Sequence, residues 1–116
     1  MTKKKAHNTY QRLEQQYPDY LAAVEALGTA VRHTGPLEEI VVQLIQLGAA
    51  AAIRSEGAVH SHTRRALEAG ATPEQIRHTL ISLTSTIGFP TVVAAISWAD
   101  DVIETCLLYT SPSPRD

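Results

Sequence analysis

The sequence predicts an all-α protein, and three observations predict it. Apolar residues recur every three or four positions along most of the chain, the period of a helix face packed on a core. No stretch sustains the apolar–polar alternation of a half-buried strand. Helix starts and stops lie between the periodic stretches, with Pro near the starts and Gly at the stops. The composition suits such a fold. Aromatics are only 5% while hydrophobic residues are 44%, so Ala, Leu, Ile and Val must fill the core, and these let helices pack closely.

Residues 6–16 are polar and predict a peripheral helix. In Tyr17-Pro18-Asp19, Pro18 predicts the next helix start, because a first-turn proline lacks only an N–H that would have no helical partner anyway. Tyr20, Leu21, Val24 and Leu27 give that helix an apolar stripe, and His33-Thr34-Gly35 end it. Pro36 predicts the opening of a third helix, with Glu38 and Glu39 in a first turn where the helix dipole favours acids. Its body, IVVQLIQLGAAAAI, is apolar almost all round and predicts a central buried helix. A break is expected at residues 55–57. A fourth helix then runs through His60, Thr63, Leu67 and Ala69 to a stop at Gly70. Thr72-Pro73-Glu74-Gln75 has the form of a capping box and starts a fifth helix. That helix is expected to bury Ile76, Leu80, Leu83 and Ile87 before Gly88-Phe89-Pro90 breaks it. The last helix is expected to bury Val92, Val93, Ile96, Ala99 and Ile103.

A chain of 116 residues holds one domain at most. The net charge of −2, with Lys and Arg concentrated only at Lys3 to Lys5, argues against a nucleic-acid surface. No apolar run approaches the ~20 residues of a membrane-spanning helix. The basic start is followed by no apolar segment, so it is not a secretory signal, and a cytoplasmic location is expected. The end of the chain breaks the pattern. CLLYTSPSPRD matches a translated read-through of a transposase sequencing adapter, and residues 106–116 are expected to be a disordered artefact on a metagenomic fragment. Cys106 is the single cysteine. Without it the chain has no disulfide, no thiolate nucleophile and no cysteine-ligated metal. The expected organisation is thus a polar extension or helix at 1–16, a helical domain at 17–105 and the tail.

From residue 36 to 104, the segments LIQLGAAAAIRSEG, HSHTRRALEAGATPEQIRHTL and GFPTVVAAISWADDV resemble the carboxymuconolactone decarboxylase family, which includes the alkylhydroperoxidase D-like proteins. The resemblance implies an alkylhydroperoxidase D-like helical bundle around an antiparallel helix hairpin, and assembly as a homotrimer or homohexamer. The peroxidase branch of that family carries Glu, eleven residues, Cys-x-x-Cys, three residues, His. With its His placed on His62, the cysteines fall at Ser55 and Ala58 and the Glu at Gln43, so only the His matches. Peroxide reduction needs a thiolate and a second thiol to resolve it, and a serine hydroxyl replaces neither unaided. The decarboxylase branch lacks the cysteine pair too, and the chain fits that branch better.

The resemblance implies loss of carbon dioxide from a carboxylated unsaturated lactone, with no cofactor and no metal. Electrons left behind spread toward the lactone carbonyl oxygen, so the site needs donors there and an acid to deliver a proton to carbon. His62 is the best acid/base candidate, because imidazole titrates near neutral pH. His60, Arg64 and Arg65 are candidates to hold a carboxylate or an oxyanion, with Ser55 beside them. Glu56 sits one helical turn before His60 and could orient it. His60 and His62 point about 200° apart on a helix, so both face one small ligand only if the backbone breaks. The plainer readings are solvated His33 and His78, surface or interface roles for Arg64 and Arg65, a favourable first-turn acid at Glu56, and packing for Trp98. A metal site from Glu56, His60 and His62 is disfavoured, because the spacing is not that of a helical His-x-x-x-His pair. Two functional classes remain. One is a cofactor-free lyase acting on a small carboxylated lactone or related enolisable acid. The other is a thiol-dependent antioxidant relative, or a degenerate non-catalytic version acting as a binding module.

Overall fold

The computed structural model describes the backbone of residues 2–110 and the side chains of residues 9–106. The predicted all-α fold is observed. The described residues form seven helices and no strand: α1 (Thr2–Gln16), α2 (Pro18–Arg32), α3 (Glu39–Ala52), α4 (Glu56–Glu68), α5 (Pro73–Ile81), α6 (Thr84–Ile87) and α7 (Phe89–Thr110). They fall into two compact units, residues 1–39 and 40–116. In this division α2 groups with α1.

In the first unit, α2 begins as its proline predicts, with Pro18 in the first turn and Asp19 beside it. Tyr10 of α1 donates its hydroxyl hydrogen to Glu25 of α2. Arg32 lies in the last turn of α2, where a cation suits the dipole, and its Nε is 3.8 Å from Glu39 Oε2. Of the stripe read from the sequence, only Leu21 is buried; Tyr20, Val24 and Leu27 are exposed, as is Val31.

The second unit holds the core. Leu47, Ala50 and Ala51 of α3 join Val59 and Ala66 of α4, Ile76 and Leu80 of α5, and Ala95, Ala99 and Ile103 of α7. The helix α7 packs along α4, α5 and α6. Alanine at 66, 95 and 99 leaves room for the backbones to approach. Arg77 of α5 donates from Nε to Asp100 Oδ1 of α7 at 2.9 Å.

The caps follow the sequence closely. Thr72 Oγ1 accepts from Gln75 N at 3.1 Å while Gln75 Oε1 accepts from Thr72 N at 2.9 Å, which completes the capping box. Ser55 caps α4 by accepting from Ala58 N at 3.3 Å. The α4 stop places Gly70 at φ 107, with Ala71 N bonded to Ala66 O and Gly70 N to Leu67 O. The α3 stop has the same bonding, Ser55 N to Ala50 O and Arg54 N to Ala51 O, but Arg54 stands in the left-handed position at φ 57. A Cβ there is disfavoured by roughly 1 kcal/mol. Arg54→Gly is therefore expected to raise unfolding free energy by up to about 1 kcal/mol, read by urea denaturation at neutral pH.

Five expectations are corrected. The third helix starts at Glu39, not at Pro36, and residues 36–38 stay outside it. It is also not buried all round, because Val41, Ile45 and Ile53 are exposed. The expected fifth helix is two, α5 and α6. Thr79, Ser82 and Thr84 each donate a hydroxyl hydrogen to a backbone carbonyl three or four residues back, and such bonds compete with the helix ladder. Leu83 N then bonds to Leu80 O in a tightened turn. Ile76 and Leu80 are buried as expected, whereas Leu83 and Ile87 are half-buried and Val93 is exposed. Finally, α7 continues to Thr110, where a disordered tail was expected from residue 106. Adding residues to an existing helix needs no new nucleus, and residues 106–110 contain no breaker. Residues 111–116 lie outside the described residues.

Candidate functional site

The candidate residues converge on α4, which is one continuous helix from Glu56 to Glu68. The backbone does not break between the two histidines, so they serve different faces. His60 is buried, 5% exposed, alongside Val59, Thr63 and Ala66. Its Nε2 lies 3.7 Å from Glu56 Oε2, one turn earlier, which is the pairing the i, i+4 spacing predicts. Glu56 is also the acid in the first turn of α4.

His62 is half-buried and reaches across to α3. Its Nδ1 lies 3.0 Å from Gln43 Oε1. A carboxamide oxygen only accepts, so with the amide placed this way the imidazole donates from Nδ1. The neutral ring then keeps its lone pair on Nε2, the nitrogen left for chemistry. Gln43 is fully buried, a polar residue on the core-facing side of an apolar helix. Its Oε1 is used by His62, while its Nε2 has no hydrogen-bond partner among the described residues. A buried donor left unmade costs about 1–3 kcal/mol. Thr63, next to His62 along α4, is also fully buried, and its Oγ1 has no partner among the described residues.

Burial lowers the His62 pKa below the ordinary histidine value, and the positive charge of Arg65 lowers it further. The imidazole is therefore neutral at pH 7. The unfolded chain binds a proton at this residue more readily than the folded one does. The stability that neutral His62 contributes is thus complete above about pH 6.5 and lost as pH falls through the lower folded value. Urea denaturation of wild type at pH 8 and pH 5 should show a larger acid loss than the same pair of measurements on His62→Gln.

The other candidates are placed as follows. Arg64 and Arg65 are exposed on α4, and the positive charge of Arg65 bears on His62. Ser55 accepts the Ala58 N–H as the cap of α4, and Ala58 itself packs against the core. His33 and His78 are exposed, and Trp98 is half-buried against the core. Among the described residues, no three His, Cys, Asp or Glu side chains come together as a metal site. Also among them, no helix is long and apolar enough to cross a membrane. Gln43 is the residue that the sequence reading did not select. Its signal was that, of the two polar side chains in IVVQLIQLGAAAAI, Gln43 stands in register with Leu47 and Ala50 on the core face.

No curated protein sequence matches the chain significantly. Among solved structures it resembles an apo carboxymuconolactone decarboxylase family protein from Legionella pneumophila, with a TM-score of 0.76 at 20% identity, over 88% of this chain and 91% of that one. At that identity the likeness speaks for the fold alone. A family model described as the carboxymuconolactone decarboxylase family matches residues 18–101, most of the chain and all of α2 to α6, and the protein belongs to that family.

Proposed function

We propose that the chain is a cofactor-free lyase that decarboxylates a small carboxylated lactone or related enolisable acid, with His62 as the proton carrier. One observation carries the reading. A half-buried imidazole is held at Nδ1 by a buried amide, in a helix whose two family thiol positions are a capping serine and a packed alanine. The arrangement can hold and deliver a proton, and it offers no sulfur at those positions. In the reaction the bond to the carboxylate carbon breaks and carbon dioxide leaves. The electron pair moves into the unsaturated system toward the carbonyl oxygen. A proton from His62 Nε2 then closes the carbon, and water returns the proton to the ring. The folded imidazolium is the scarcer form at pH 7 but a stronger acid than free histidine, which suits delivery to carbon.

Carbon dioxide release from a γ-carboxylated unsaturated lactone tests the reaction, with peroxide consumption driven by a dithiol measured in parallel. Release without peroxidase turnover is expected. Robust peroxidase turnover by Cys106→Ala would overturn the reading in favour of an antioxidant relative.

The same reading extends to assembly. Val41, Ile45 and Ile53 of the α3 region and Phe89 and Val93 of α7 are exposed apolar side chains. A homotrimer or homohexamer, the assembly the family resemblance implies, would cover such surface. Light scattering at micromolar concentration is expected to give a mass of three or six chains, and a clean monomer would sink this proposal.

A further inference from the structure

The Gln43 carboxamide is used at one end only. Its oxygen accepts from His62, and its nitrogen, fully buried, donates to no group among the described residues. A residue whose only task was to orient His62 could leave a buried donor idle only at a loss of stability, because those two N–H groups were bonded to water in the unfolded chain. The amide is also neutral. A carboxylate at the same place would accept from His62 equally well, but it would repel an anion and could not donate to one. Gln at 43 thus differs from an acid in one respect that matters to a ligand: it presents hydrogen instead of negative charge. Both amide atoms belong to one planar group, so the idle nitrogen lies next to the oxygen that His62 uses. His62 is the partly exposed member of the pair.

We propose that Gln43 is a specificity-determining residue whose Nε2 donates to an anionic oxygen, carboxylate or enolate, of a small ligand bound beside His62. The proposal deepens the reading of the site as one for a carboxylated substrate. It assigns the anion-binding role to a buried neutral amide on α3, whereas Arg64 and Arg65 stand exposed on α4.

The test is nitrogen-15 NMR on the full chain with sodium 2-furoate as probe, a five-membered unsaturated ring bearing a carboxylate. Furfuryl alcohol serves as the uncharged control. The Gln43 side-chain amide is assigned by its disappearance in Gln43→Glu. Furoate is expected to move the Gln43 amide protons downfield and to shift the His62 ring nitrogens, while the alcohol at equal concentration does neither. Gln43→Glu and Gln43→Leu are each expected to weaken furoate binding by about tenfold to a hundredfold. Gln43→Glu keeps the shape and the acceptor for His62, so it reports even if Gln43→Leu does not fold. The proposal is overturned if the Gln43 amide is unmoved by 50 mM furoate (a probe concentration), if the alcohol moves it equally, or if it contacts a long-lived water that furoate does not displace. Furoate binding without carbon dioxide release would sink the lyase reading and leave this one standing. Carbon dioxide release with an unmoved Gln43 amide would do the reverse.

Discussion

His62→Gln is expected to lower turnover of a carboxylated lactone by about two to four orders of magnitude while leaving the fold intact. The size follows from the role. A positioned side chain that transfers a proton in the transition state contributes typically 10²–10⁴-fold, and glutamine has no titratable group to take its place. The intact fold follows from the surroundings. His62 is half-buried and makes one side-chain hydrogen bond, to Gln43, and a glutamine of similar size can donate to the same oxygen. The change should appear in kcat more than in KM, because the proton is delivered in the transition state and not on binding. Wild-type kcat/KM should also rise as pH falls below about 6.5, where the imidazolium becomes more abundant, and the mutant profile should be flat there. A His62→Gln enzyme with undiminished carbon dioxide release would remove His62 from the chemistry.

Leu47→Ala is expected to destabilise the protein by about 2–5 kcal/mol. Leu47 is fully buried at the centre of the core cluster, one turn along α3 from Gln43. Removing its branched end discards apolar burial and leaves a cavity. The cluster around it mixes alanines with Val59, Ile76, Leu80 and Ile103, held on packed helices that relax only partly into the space. Thermal unfolding with calorimetry gives the loss. A change below about 1 kcal/mol would mean that the core collapses onto the site and that Leu47 does not hold α3 in register. Activity measured well below the mutant's melting temperature adds a second reading. If Leu47 sets the height of Gln43 against His62, residual kcat should fall as well, beyond the fraction unfolded.

The site was legible in the sequence as far as local spacing reaches. Glu56 and His60 are four apart on a helix that Ser55 caps, and the structure pairs them because the helix period leaves them on one face. The capping box at Thr72 and the stop at Gly70 were legible for the same reason, since each is closed by groups within five residues. The break at Ser82 was not read, although its cause is local too: three hydroxyl groups that compete with the helix ladder sit inside an otherwise apolar periodic run.

By itself, then, the sequence determined the helical class, most helix boundaries, the caps, the absence of thiols at positions 55 and 58, and the His-bearing helix. All of these depend on side-chain type and on contacts within about one turn. Tertiary structure alone decided which apolar residues of α3 are buried, since Leu47 is enclosed and Ile45, two residues away, is 55% exposed. It alone decided that His62 meets a partner on another helix. The hydrogen bond between Gln43 and His62 spans nineteen residues, and no periodicity within either helix encodes it. It exists because the packing of the core sets the two helices at a distance where one amide oxygen and one imidazole N–H coincide.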